Sequence, residues 1–189
     1  ILIDNGSRDG VRDRVHRFER VQVIEETKRG AYAARNRGVA EAHGEILLFT
    51  DADCVPDPSW LRHHLDAIAE PRVDVVLGPR RPARDTTPLR LMTLYEETKA
   101  AVIFGGTDHT RYYGYTNNMA VRKRALVEMG GFDDVLRGAD SVFVRRLVDR
   151  RGADAVRYCR SAAVMHLEIL TLGHWYAKHA IYGRSNQRN

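Results

Sequence analysis

The sequence predicts an α/β fold: a mostly parallel sheet with helices packed on its faces. Apolar runs of strand length recur at Ile1–Ile3, Val21–Ile24, Glu45–Thr50 and Val73–Gly78. Segments with helical spacing of apolar or small residues lie between them. The links are short, and alternating strand and helix joined by short links is the pattern of parallel βαβ units. The chain has 189 residues, 43% hydrophobic and 29% charged. That suits one globular domain over residues 1–189, with a regularly alternating half at 1–78 and a less regular half at 79–189.

Each element has a local reason. Ile1–Ile3 is a short strand ending in the polar turn Asp4-Asn5-Gly6-Ser7. Asp9 to Arg20 carries Val11, Val15 and Phe18 at helical spacing, and Val21–Ile24 reads as a second strand. Gly30 opens a small-residue helix that runs to about His43. Glu45–Thr50 is a strongly apolar strand, which Pro56 and Pro58 bring to a close. Pro58 to Glu70 follows as a helix with Trp60, Leu61, Leu65 and Ile68 on one side, and Val73–Gly78 is a buried strand. Arg80 to Thr87 is polar and proline-bearing, hence a loop, and Leu89 to Phe104 is helical. Gly105 to Tyr115, rich in Gly and aromatics, is expected as a mobile loop. Asn117–Val121 reads as a strand, Arg122–Met129 as a short helix, Gly130 to Asp133 as a turn and Ser141–Arg151 as a helix. Ala155–Cys159 and Ala162–His166 are strand-like, and Leu170–Tyr182 is an amphipathic helix.

The formal charge of +5 favours anionic partners, though a solvated surface accounts for it equally well. The excess is spread along the chain, so no nucleic-acid footprint is expected. Two cysteines, with no CxxC or Cys/His ligand spacing, argue against a disulfide framework and a zinc site, and they fit a reducing compartment. No apolar run is long enough to span a bilayer. The chain opens without Met on a strand already under way, so a missing N-terminus is expected, with some of the C-terminus.

Chemistry is concentrated in five places. Asp51-Ala52-Asp53 follows an apolar strand, and residues two apart on extended backbone face the same way. Two carboxylates are thus expected to converge at a strand's carboxyl end, where open α/β sheets bind ligands, and their oxygens suit Mg²⁺ or Mn²⁺. A bare pair of this kind equally serves as a turn cap beside a solvated acid. Asp4 at a strand end can accept from a base or ribose, or simply build the turn. Gly30 ahead of a helix, with Lys28, Arg29 and Arg35 nearby, can hold phosphate, or can let a helix pack closely on the sheet. Asp140 stands just before a helix, as an N-cap or as a general base. His166 ends an apolar strand, as a structural residue or as a third protein ligand beside the carboxylates.

Taken in order, the stretches ILIDNGSRDG, KRGAYAARNRGVAEAHGEILLFTDADCVPDPSWL, NNMAVRKRALVEMGGFDD and GADSVFVRRL resemble family 2 of the inverting glycosyltransferases. The likeness runs from Ile1 to about Ser185. It implies a GT-A fold with a Rossmann-like sheet, a UDP- or GDP-sugar donor, Mn²⁺ or Mg²⁺, and inversion at the anomeric carbon. It further implies a glycan or lipid-linked acceptor, as in bacterial cell-envelope polysaccharide biosynthesis, in the cytoplasm or at the inner face of the membrane. By the same resemblance Asp4 contacts the nucleoside, and Gly30 and Arg35 lie on the nucleotide side. Asp51 and Asp53 form the DxD, with Asp53 ahead as direct metal ligand. Asn117 and Asn118 line the donor-sugar pocket, Asp140 is the catalytic base, and His166 reaches metal or diphosphate.

The chain departs from the family pattern in three ways. The family's usual first strand and helix are absent, Ala139 replaces the first of two consecutive acids, and no Gln-x-x-Arg-Trp motif occurs. The last departure implies single transfer rather than polymer synthesis. Other classes stay open at this point: a catalytically silent sugar-nucleotide-binding domain, a nucleotidyltransferase of related fold, and a basic membrane-surface module using Leu170–Tyr182 with Trp175, Tyr176 and Lys178.

Overall fold

The computed structural model describes residues 1–177 and 180. The apolar runs form strands, as their burial requires. The first two, β1 (Leu2–Asp4) and β2 (Val23–Glu25), pair in parallel, with Leu2 opposite Val23. Between them α1 is only Val11–Val15, shorter than the expected helix, and it buries no residue. Phe18 is exposed, so nothing packs on the C-terminal part of the predicted stripe, and a helix without a buried face does not extend.

Next come α2 (Ala31–Glu41), β3 (Ile46–Thr50), β4 (Cys54–Pro56), α3 (Trp60–Ile68), β5 (Val75–Leu77) and β6 (Arg80–Pro82). The chain continues through α4 (Thr87–Gly105), β7 (Asn118–Arg122), α5 (Lys123–Glu128), α6 (Ala139–Arg151), β8 (Val156–Tyr158) and β9 (Val164–His166). The central sheet has the order β3-β7-β5-β8. Strands β3, β5 and β8 run one way, as the parallel pattern predicts, while β7 runs against both of its neighbours. Strand direction cannot be read from an apolar run, and here a strand from residues 118–122 is inserted between two from the first 77. The main core lies over this sheet, where Tyr32 and Val39 of α2 and Phe143, Val144 and Leu147 of α6 meet Leu77, Met119 and Val121.

A second sheet, β4-β9-β6, sits at the carboxyl ends of β3 and β5, because β4 and β6 each follow those strands within a few residues. Neither β4 nor β6 is legible in the sequence. Each is three residues long and ends in proline, where no further ladder bond is needed. The expected apolar side of α3 is also corrected. Leu61 and Leu65 are exposed, whereas His64 and Ile68 are fully buried. The helix is turned by Asn118, whose Oδ1 accepts from Trp60 Nε1 at 2.7 Å and lies 2.9 Å from His64 Nε2.

The start of the predicted Leu170–Tyr182 helix is helical at residues 172–177. Lys178, Tyr182 and the end of the family likeness near Ser185 lie outside the described residues. Among those described, no helix is long and apolar enough to cross a membrane.

Candidate active site

The segment after β3 is a turn rather than extended backbone, with Cys54 N bonded to Asp51 O at 3.0 Å. The two carboxylates of the DxD therefore have different neighbours. Asp51 accepts from Arg35 Nη2 at 2.8 Å, an ion pair between the end of β3 and α2. Asp53 turns toward the small sheet, where its Oδ2 lies 3.6 Å from His166 Nε2. Strand pairing creates that meeting: β4 and β9 are antiparallel with Cys54 opposite His166, and Leu167 N donates to Asp53 O at 2.8 Å. One ligand atom each of Asp53, Cys54 and His166 lie within 4.8 Å of one another. Carboxylate oxygen, imidazole nitrogen and thiol sulfur are all donors to divalent metals, so this set fits a cation. The Cys54 thiol is pushed up to about 12, first by burial and then by the charge of Asp53.

Asp140 stands inside the first turn of α6, not before it, and Gly138 at φ 86° is the N-cap. Its carboxylate accepts from Tyr32 Oη at 2.9 Å and Ser141 N at 3.0 Å on one oxygen, and from Thr116 N at 3.2 Å on the other. Burial, and then the negative charge of Asp140, raise the Tyr32 hydroxyl well above its ordinary value. It thus stays protonated and donates. Gly138 N in turn donates to Tyr32 Oη at 3.0 Å. Tyr32 was not singled out from sequence, yet its place two residues after Gly30, on a face of small residues, marks it as the one large side chain there.

Of these groups, Asp53, Cys54 and His166 stand outside, whereas Tyr32, Arg35, Asp51 and Asp140, with Asn117, line one cleft of about 600 Å³. The Gly105–Tyr115 segment contributes Tyr113, Gly114 and Tyr115 to the same cleft, and Arg80 of β6 stacks 4.4 Å over the Tyr115 ring. The two asparagines divide. Asn117 lines the cleft, and its buried Oδ1 has no hydrogen-bond partner among the described residues. Asn118 is wholly buried. Its Nδ2 donates to Pro79 O and Ala162 O at 2.9 and 2.8 Å, while its Oδ1 holds Trp60 and His64. An amide has two donors and two acceptor sites, and all four are occupied. The expectation that Asn118 lines the sugar pocket is therefore corrected: it fastens the strand connections beneath the site.

At the end of the β2–α2 loop, Gly30 caps α2 at φ 132°, a conformation open to glycine. Asn5 builds its loop: Oδ1 accepts from Gly30 N at 2.9 Å, and Nδ2 donates to Glu26 O and Lys28 O, both at 2.7 Å. Asp4 is buried, accepting from Ser7 N at 2.8 Å and Arg12 Nε at 2.5 Å. These bonds, with that to the Ser7 backbone the largest, lower its carboxyl to about 2. A depressed carboxyl stabilises the fold above its unfolded value near 4, and that contribution is lost as pH falls from there through about 2. Urea midpoints should therefore fall more steeply from about pH 4 to 2 in the wild type than in Asp4→Asn. Equal slopes would show that Asp4 contributes nothing to acid lability.

The family model described as glycosyl transferase family 2 matches residues 1–132, more than two thirds of the chain. Asp140 and His166 lie beyond that match. The chain is 28% identical over 171 residues to glycosyltransferase AglE of Haloferax volcanii, covering 79% of this chain and 50% of that protein. It is 27% identical over 197 residues to the pre-mycofactocin glycosyltransferase of Mycobacterium tuberculosis, covering 98% of this chain and 41% of that protein. The chain thus spans half or less of the length of these curated relatives. The mannosyltransferase PcManGT of Pyrobaculum calidifontis, solved with GDP-Man and Mn²⁺, superposes with a TM-score of 0.67 at 23% identity, covering 92% of this chain and 49% of that one. That likeness shows the fold.

Proposed function

This chain belongs to glycosyl transferase family 2 and has the GT-A fold, and we propose that it transfers a sugar from a UDP- or GDP-sugar to an acceptor hydroxyl, with inversion and one sugar at a time. The observation that carries this reading is the cleft itself. It sets the Asp140 carboxylate, held by hydrogen bonds from Tyr32, Ser141 and Thr116, on the same cavity as the Arg35–Asp51 pair at the DxD turn. Membership of the family and the donor complex of the mannosyltransferase support it.

In this reading Asp53 and His166 hold a divalent cation, Mn²⁺ or Mg²⁺, with Asp51 assisting. The cation's chemistry is to offset negative charge on the donor diphosphate. Arg35 stands at the same turn and orients the diphosphate through its guanidinium. Asn117, whose carbonyl oxygen is unpartnered in the cleft, receives a hydroxyl of the donor sugar. Asp140 takes the proton of the acceptor hydroxyl as that oxygen attacks the anomeric carbon from the face opposite the leaving diphosphate. One bond forms as one breaks, so the configuration inverts and no covalent sugar–enzyme intermediate is needed. Tyr32 and the Thr116 amide hold the carboxylate in place. Tyr113, Tyr115 and Arg80 form the acceptor side, for a glycan or a lipid-linked acceptor such as cell-envelope polysaccharide synthesis uses. Trp175 and Tyr176 of the 172–177 helix suit peripheral contact with a membrane that carries such an acceptor.

The test is binding of a nucleotide-sugar panel, with and without Mn²⁺, to the wild type and to Asp53→Ala. One donor should bind only with the metal, and the variant should weaken it by at least about ten-fold, since even outer partners of a metal cost that much. A folded chain that binds its donor equally well without metal, or in the variant, would overturn the metal-bridged reading.

A further inference from the structure

We propose that the Cys54 sulfur is a direct ligand of the cation held by Asp53 and His166, making an oxygen–nitrogen–sulfur site that favours Zn²⁺ and Co²⁺ over Mg²⁺. The proposal rests on the metal-binding reading of Asp53 given above. Residues directly opposite on an antiparallel pair project to the same face of the sheet, and Cys54 is directly opposite His166. Cys54 Sγ lies 3.6 Å from Asp53 Oδ1, and His166 Nε2 lies 3.6 Å from Asp53 Oδ2. A cation bonded to oxygen at ~2.0 Å and to sulfur at ~2.3 Å holds the two about 3 to 3.5 Å apart. The sulfur–oxygen separation is thus close to what one shared ion imposes, all three ligand atoms lie within 4.8 Å of one another, and side-chain rotations bring them onto one ion.

Burial sets this thiol apart from an incidental cysteine. Cys54 is 8% exposed, and its sulfur hydrogen-bonds to Asp53. The other cysteine, Cys159, bonds Ser161 and His63 O and packs beside Ile68 and Val76, in a different cluster. Binding the cation replaces the S–H proton, which leaves to solvent. Thiolate is a soft ligand, so its entry raises affinity for Zn²⁺ and Co²⁺ far more than for Mg²⁺, which takes oxygen. The sequence conceals this. Cys54 has no CxxC partner, and its fellow ligands are its own neighbour and a histidine 112 positions along the chain.

Cobalt absorption tests the proposal independently of turnover. The full chain is titrated with Co²⁺ alone, and again with UDP and with GDP. A sulfur-to-cobalt charge-transfer band in the near ultraviolet, kept in Cys159→Ser and absent in Cys54→Ser, is the expected result. Cys54→Ser should also weaken Co²⁺ and Zn²⁺ by at least about ten-fold while leaving Mg²⁺ nearly unchanged. The wild-type and Cys159→Ser spectra together decide the matter even if Cys54→Ser folds poorly, since Cys54 is then the one sulfur of a cysteine left. Visible cobalt bands that Asp53→Ala abolishes, with no charge-transfer band, would keep the metal site and overturn the sulfur ligand. No cobalt binding in any of the three conditions would overturn both.

Discussion

Asp140→Asn should lower the transfer rate by about 10²- to 10⁴-fold, the usual worth of a positioned general base, while donor affinity stays within about two-fold. The split follows from where the carboxylate sits. Its oxygens face Tyr32, Ser141 and Thr116, whereas the Arg35–Asp51 pair and the Asp53–His166 pair lie at the DxD turn. Asparagine is the same size but cannot take a proton from a hydroxyl. Steady-state transfer and isothermal donor binding on the same preparation make the measurement. Retained transfer would remove Asp140 as base. Parallel loss of donor binding would mean that the residue shapes the donor site. Tyr32→Phe, which deletes one donor but leaves the carboxylate, should cost less than Asp140→Asn.

Asn118→Ala should destabilise the fold by about 3–5 kcal/mol, because it leaves several buried partners without bonds at once. The partners are Trp60 Nε1, His64 Nε2, Pro79 O and Ala162 O. They belong to α3, to the β5–β6 link and to the β8–β9 link, so one amide ties together the base on which the small sheet stands. Gly78 shows how tight the junction is, since a Cβ there would lie 1.9 Å from Ala162 O. The His64 tautomer follows from the same bonds. Both Asn118 amide hydrogens go to carbonyls, so Oδ1 accepts and His64 Nε2 carries the proton. Burial lowers the His64 pKa and keeps the ring neutral. Urea unfolding measures the loss, and a fall in Tm of roughly 10 °C or more is the thermal counterpart. Asn118→Asp, equal in size but unable to donate to the two carbonyls, should also destabilise. A loss under about 1 kcal/mol in both variants would remove Asn118 from that role.

The elements most legible in the sequence are those whose cause is local. The run Ile46–Thr50, the small-residue helix after Gly30 and the Phe143–Val148 part of α6 carry their periodicity within a few residues, and each forms where the pattern places it. The failures have a common cause. Strands β4 and β6 exist because β9 lies between them. The buried face of α3 follows the Asn118 amide rather than the most apolar stripe. Nothing within α1 supplies a surface for Phe18, so the predicted helix stops early.

The sequence by itself determined the α/β class, the family, the acid pair after β3, and Asp140 and His166 as residues to watch, because these depend on residue type, order and short-range spacing. Tertiary structure alone decided which of them meet. It separated Asp51 from Asp53 by a turn, set Cys54 against His166, and put Tyr32 on Asp140 across 108 positions. It also withdrew Asn118 from the cleft while leaving Asn117 in it. The physical reason is that strand register and buried hydrogen bonds are settled between distant segments, where a shift of one residue exchanges the two faces of a strand.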